Sequence, residues 1–94
     1  MLIDKCEYCH ISMKDLNNLE VKTKRARGYS MEVDQKNAFA GYSDKNCVAS
    51  CYWCNNAKTD EFNYDEFKEK IAEGITGVWN KRLIEVGHPE IKKI

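Results

Sequence analysis

The chain has 94 residues, 43% of them apolar and 32% charged, a composition that fits one small globular domain. Its 15 basic and 15 acidic side chains cancel to a formal net charge of zero, which argues against gripping nucleic acid through overall positive charge and leaves room for a local basic patch. No apolar run approaches the roughly 18–20 residues needed to cross a bilayer. The N-terminus lacks a basic start followed by an apolar stretch, so no secretory signal is read and a reducing cytoplasm is expected. Residues 1–94 read as a single domain, with a core over 1–60 and a helical extension over 61–94.

In chain order, the first feature is Cys6 and Cys9, spaced to chelate one ion from a tight turn. A basic stretch follows at Lys22, Lys24, Arg25 and Arg27. Its chemistry suits phosphate contact, and Lys58 would extend such a face; a solvated hairpin is the plainer alternative. Tyr29, Met31 and Val33 alternate with polar residues, which predicts a short strand with those three on one face. The run Gly41, Tyr42, Ser43 and Asp44 reads as a turn, and Asn46 to Ala49 as a second short strand. A short helix is expected from Cys51 to Lys58. Further on, Asn63 is a candidate N-cap with Glu66 as its capping-box partner. Phe67, Ile71, Ile75, Val78, Trp79 and Leu83 then recur at helical spacing, a stripe that belongs against the core. Gly74 is expected to break or bend this helix, and Gly87 with Pro89 to end it.

Two widely separated CxxC pairs, Cys6/Cys9 and Cys51/Cys54, predict a structural Zn²⁺ held by four thiolates. Four thiolates close the coordination sphere and leave no position for a reactive water, so this site is a staple. Such binding is worth an apparent value of roughly 10–16 kcal/mol, comparable to the net stability of a whole domain. Redox activity and disulfides are the competing readings. Cys47 stands outside the pairs and reads as a small apolar residue.

Val33, Asp34 and Gln35, then Gly41 and Tyr42, Asn46 to Ala49, and Cys51 through Lys58 together resemble the core of HNH endonucleases, in the His-Me finger or ββα-metal superfamily. Many members carry two CxxC pairs flanking that core. The resemblance spans residues 6–60 and implies an α+β fold: a small zinc-bound, treble-clef-like ββα-metal core, here followed by a C-terminal helical extension. It makes Asp34 the acidic metal ligand, Asn46 the residue that positions the loop and the base, and Asn55 the ligand on the helix. The CxxC-Asn form resembles phage junction-resolving endonucleases. A divalent ion, Mg²⁺ or Mn²⁺, would sit at Asp34 and Asn55, and DNA would be the partner.

The departure from the family is Gln35, which stands where the general-base histidine belongs. An amide orients water but cannot take its proton near neutral pH. Neither His10, beside a cysteine, nor His88, in a tail turn, reads as a replacement, while Glu32 and Asp44 flank the motif as carboxylates able to approach a metal. Three functions follow: a metal-dependent endonuclease, a catalytically inactive nucleic-acid-binding relative, or a protein-binding regulator or inhibitor of mobile-element origin acting through the C-terminal helix.

Overall fold

The computed structural model describes residues 4–21 and 30–91, so the basic stretch at Lys22, Lys24, Arg25 and Arg27 lies outside the described residues. The first cysteine pair sits on a tight knuckle. The His10 N–H donates to the Cys6 carbonyl at 3.0 Å, and the Cys6 N–H to the Ile11 carbonyl at 2.9 Å. His10 adopts the left-handed region (φ 67°), which lets the chain reverse here. Helix α1 (Met13–Leu19) follows at once, capped by Ser12, whose Oγ accepts from the Asp15 N–H at 3.0 Å. No helix is predicted here from the sequence; the Ser12 cap and the three-residue spacing of Met13, Leu16 and Leu19 are its local signals.

Strands β1 (Glu32–Gln35) and β2 (Cys47–Ser50) form an antiparallel pair in which Glu32 faces Ser50 and Gln35 faces Cys47. The alternation of Tyr29, Met31 and Val33 predicts an apolar inner face, and the strand departs from this. Val33 is 64% exposed, whereas Asp34 is buried. Asp34 is drawn inward because a hydroxyl and an ammonium await it there, as described below. The Glu7 N–H donates to the Ala49 carbonyl at 2.9 Å and ties the first knuckle to β2.

Helix α2 (Tyr52–Lys58) begins on the second knuckle, with Cys51 as its N-cap. Beyond it, Asn63 and Glu66 form the expected capping box, each side chain accepting the other's backbone N–H at 2.9 and 3.0 Å. Helix α3 (Tyr64–Glu66) runs through a π-helical turn (Phe67–Ile71) into α4 (Ala72–Glu85). Gly74 lies inside α4, which is not broken there; the irregularity in hydrogen bonding is the π-helical turn that precedes it. A helical glycine costs only about 0.5–1 kcal/mol, so burial of Ala72, Thr76, Trp79 and Leu83 outweighs it. Gly87 (φ 81°) ends the helix, with the His88 N–H returning to the Leu83 carbonyl at 2.9 Å.

Phe67, Trp79 and Leu83 of the predicted stripe are buried, and Ile71 and Ile75 pack against them. Val78 instead points outward, 49% exposed, and Ala72 and Thr76 take the inner face. This face covers the cysteines. The Thr76 hydroxyl donates to the Cys9 carbonyl at 3.1 Å, Trp79 meets Trp53 edge-on at 5.3 Å, and Phe67 meets Tyr8 edge-on at 5.1 Å. No helix among the described residues is long and apolar enough to cross a membrane.

Candidate functional site

The four cysteines converge as their spacing predicts. Cys6, Cys9, Cys51 and Cys54 are all buried, none is in a disulfide, and their sulfurs lie within 4.8 Å of one another. Cys9 Sγ and Cys51 Sγ are 3.8 Å apart. A tetrahedron of sulfurs about 2.3 Å from a central ion has an edge of about 3.8 Å, so the cluster has the size of a tetrathiolate site. The Cys54 N–H donates to Cys51 Sγ at 3.3 Å. Hydrogen bonding with Cys51 pushes the Cys6 thiol down and holds Cys9 and Cys54 up. Proton sharing of this kind ends when a dication holds all four as thiolates. The four residues form a metal-binding cluster.

A second constellation lies where β1 meets α2. Asp34 Oδ2 accepts from the Tyr8 hydroxyl at 2.5 Å and pairs with the Lys58 ammonium at 3.3 Å. Lys58 also donates to the Gln35 carbonyl at 2.8 Å. Burial, then the bond to Asp34, raises the Tyr8 hydroxyl far above the usual phenol range, so Tyr8 stays protonated and donating. One position toward the start of the same strand face, the Asn55 amide Nδ2 donates to Glu32 Oε1 at 2.9 Å. Two cross-links thus join the elements, Glu32 to Asn55 and Asp34 to Lys58. Among the described residues both contacts of the Asp34 carboxylate fall on Oδ2, so Oδ1 is left for another partner.

Lys58 is therefore not a phosphate contact. Only 1% exposed, it directs its ammonium inward to Asp34 and the strand carbonyl. Tyr8 was missed because its bond to Asp34 spans 26 residues; its place inside the first CxxC was the one available signal. Asn46 closes the loop between the strands. Its Oδ1 accepts from the Asn37 N–H at 3.0 Å, and its Nδ2 donates to the carbonyls of Asn37 and Gly41 at 3.1 and 2.6 Å. Gln35 is half-buried at the end of β1, directly after Asp34. Cys47 is half-buried opposite it.

A charged cluster borders this region. Lys68 donates to Glu7 at 2.7 Å and to the Tyr64 hydroxyl at 2.8 Å, and the Lys36 ammonium lies 4.8 Å from the Tyr64 ring centre. The bond from Lys68 holds the Glu7 carboxyl below its usual range, and Glu7 raises Lys68 in return. Burial, then the nearby charges of Lys68 and Lys5, lowers His10.

No family model matches the chain, and no curated protein matches it. Among solved structures it is similar to the rare-cutting HNH restriction endonuclease PacI, described for its mechanism of DNA perturbation, at 30% identity and a TM-score of 0.71. The match covers 83% of this chain and 55% of that one, so the chain spans about half the length of that enzyme. The fold is the small α+β, treble-clef-like ββα-metal core, built here from β1, β2 and α2, with the cysteine cluster at its ends and a C-terminal helical extension.

Proposed function

We propose that the chain is a metal-dependent DNA endonuclease of the HNH type, stapled by Zn²⁺ at Cys6, Cys9, Cys51 and Cys54. Asp34 and Asn55 would hold a second, divalent ion, Mg²⁺ or Mn²⁺. One observation carries the reading: a carboxylate on β1 and an amide on α2 are each fastened across the same two elements, in a fold shared with an HNH restriction endonuclease. Oxygen donors from Asp and Asn suit a hard cation, whereas four thiolates suit zinc.

When bound, such an ion acidifies a coordinated water and neutralises charge on the phosphate. The chain's own groups divide the rest of the work. Tyr8 and Lys58 hold Asp34 through Oδ2 and leave Oδ1 to the ion. Asn46 fixes the loop that follows Gln35. The Gln35 amide orients the attacking water without taking its proton, so the chain forgoes the roughly 10²–10⁴-fold contribution of a general base.

Gln35 also favours a second reading, a relative that binds nucleic acid without cutting it. Supercoiled plasmid incubated with Mg²⁺ or Mn²⁺ separates the two, with Asp34→Ala and Gln35→His alongside. Nicking by the native chain that is lost in Asp34→Ala supports the enzyme. Salt-dependent binding without nicking, with cleavage gained in Gln35→His, supports the inactive relative. A chain that neither binds nor nicks points to a protein partner at the C-terminal helix.

A further inference from the structure

We infer that Glu32 is a positioning residue for the second metal site: its carboxylate fixes the Asn55 amide so that the oxygen, and not the nitrogen, is presented to the cation. This inference rests on the metal-binding role proposed above for Asp34 and Asn55.

An asparagine amide has two ends of similar shape and opposite chemistry. Its Oδ1 accepts and its Nδ2 donates, and only the oxygen ligates a hard cation. The terminal torsion is broad, so an unrestrained amide spreads over many orientations, few of which aim the oxygen at the cation, whereas a tethered one keeps its direction and can differ only in which end is held. Asn55 is restrained: its Nδ2 lies 2.9 Å from Glu32 Oε1. An ionised carboxylate only accepts, so chemistry selects the nitrogen end at this contact. A flipped amide would set two acceptors against each other. With the nitrogen held by Glu32, Oδ1 points away from it.

The placement is systematic. Glu32 and Asp34 are two apart and share one face of β1, while Asn55 and Lys58 are three apart and share one face of α2. Each cross-link occupies one polar atom of a proposed ligand and leaves one oxygen: Oδ1 of Asp34 and Oδ1 of Asn55. The Glu32 contact is partly buried, which protects it from exchange with water.

The test measures Mn²⁺ affinity by electron paramagnetic resonance on the full, zinc-loaded chain, for the native sequence, Glu32→Gln and Glu32→Ala. Losing an outer partner of a ligand costs about 10–100-fold in metal affinity, so Glu32→Ala should bind Mn²⁺ at least about tenfold more weakly, with zinc content unchanged. In Glu32→Gln the partner both donates and accepts, so two nearly equal arrangements form and half the molecules present the Asn55 oxygen. Its loss should be about twofold. A parallel measurement without added Mn²⁺ follows the Asn55 side-chain amide by nitrogen-15 NMR. Its protons should be shifted by the carboxylate in the native chain and move to free-amide positions in Glu32→Ala. Equal Mn²⁺ affinity in the native chain and Glu32→Ala overturns the positioning role alone. A loss in Glu32→Gln as large as in Glu32→Ala also overturns it, because charge or direct ligation would then be the cause. A native chain with a fixed Asn55 amide but no Mn²⁺ binding overturns the metal-site reading, and the positioning role with it.

Discussion

Replacing Lys58 with methionine removes an ammonium that lies 3.3 Å from Asp34 Oδ2 and donates to the Gln35 carbonyl at 2.8 Å. Methionine preserves the apolar stem, so the change isolates the charge. The two side chains are 1% and 9% exposed, which places the pair among buried ones. Breaking such a pair costs about 3–5 kcal/mol, because the remaining charge stays buried and uncompensated. At about 4–8 °C per kcal/mol for a chain of this size, the melting midpoint should fall by about 12 °C or more. Adding Asp34→Asn removes the orphaned charge and should recover most of the loss. Thermal and urea unfolding of the zinc-saturated protein measure both variants. A cost below about 1 kcal/mol, as for an exposed pair, would refute the reasoning, as would a double variant no more stable than the single one. A second readout comes from DNA binding. A phosphate contact contributes about 0.9 to the slope of log affinity against log salt. That slope should be the same for the native chain and Lys58→Met, both measured well below the melting transition, since Lys58 faces inward.

Four further outcomes are expected. Elemental analysis should find one zinc per chain. Stripping it with a chelator, or introducing Cys9→Ser, should unfold the protein by circular dichroism, because an apparent 10–16 kcal/mol of binding rivals the whole folding free energy. Tyr8→Phe keeps the ring against Phe67 but deletes the 2.5 Å bond to Asp34. Because the acceptor is charged, it should cost about 1.5–3 kcal/mol in urea unfolding and reduce plasmid nicking. A Cβ added at Gly74 meets nothing within 4 Å, so Gly74→Ala should raise stability by about 0.5–1 kcal/mol; a lower melting midpoint would contradict the uninterrupted helix. The Glu7–Lys68 pair adds a pH-dependent part, discounted to at most about 1 kcal/mol because both ends are partly exposed. Glu7 is lowered, so its contribution is present above its ordinary 4.5 and fades as pH falls through the lowered value. Lys68 is raised, so its contribution is present below its ordinary 10.5 and fades as pH rises through the raised value. The stability difference between the native chain and Glu7→Gln should therefore be flat between those limits and shrink beyond them.

Features set by short fixed spacings were readable from the residues alone. The cysteine pairs announce their own convergence, because each pair sits on one turn. Asn63 and Glu66 announce the capping box for the same reason, and α2 follows directly from its knuckle. Helix α1 escaped because it is short: Met13, Leu16 and Leu19 face the core at three-residue steps, but seven residues are too few to establish a period. At Gly74 a local preference of under about 1 kcal/mol was weighed as decisive, when the packed face of α4 outweighs it.

The interior of the site was hidden for a different reason. Hydrophobic alternation identifies a strand's buried face only when that face is apolar, and β1 buries an aspartate. What makes the burial tolerable is supplied from far away: the Tyr8 hydroxyl from 26 residues upstream and an ammonium from the end of α2. Lys58 shows the consequence. By composition it belongs with the basic residues that meet phosphate, yet the carboxylate it faces turns it into an internal counter-ion. The same logic holds for Glu32, which reads as one more solvated acid until Asn55 is placed 2.9 Å from it. Each of these residues acts through a partner on another element, so its role follows from the pairing of β1 with α2, and no local pattern encodes that pairing.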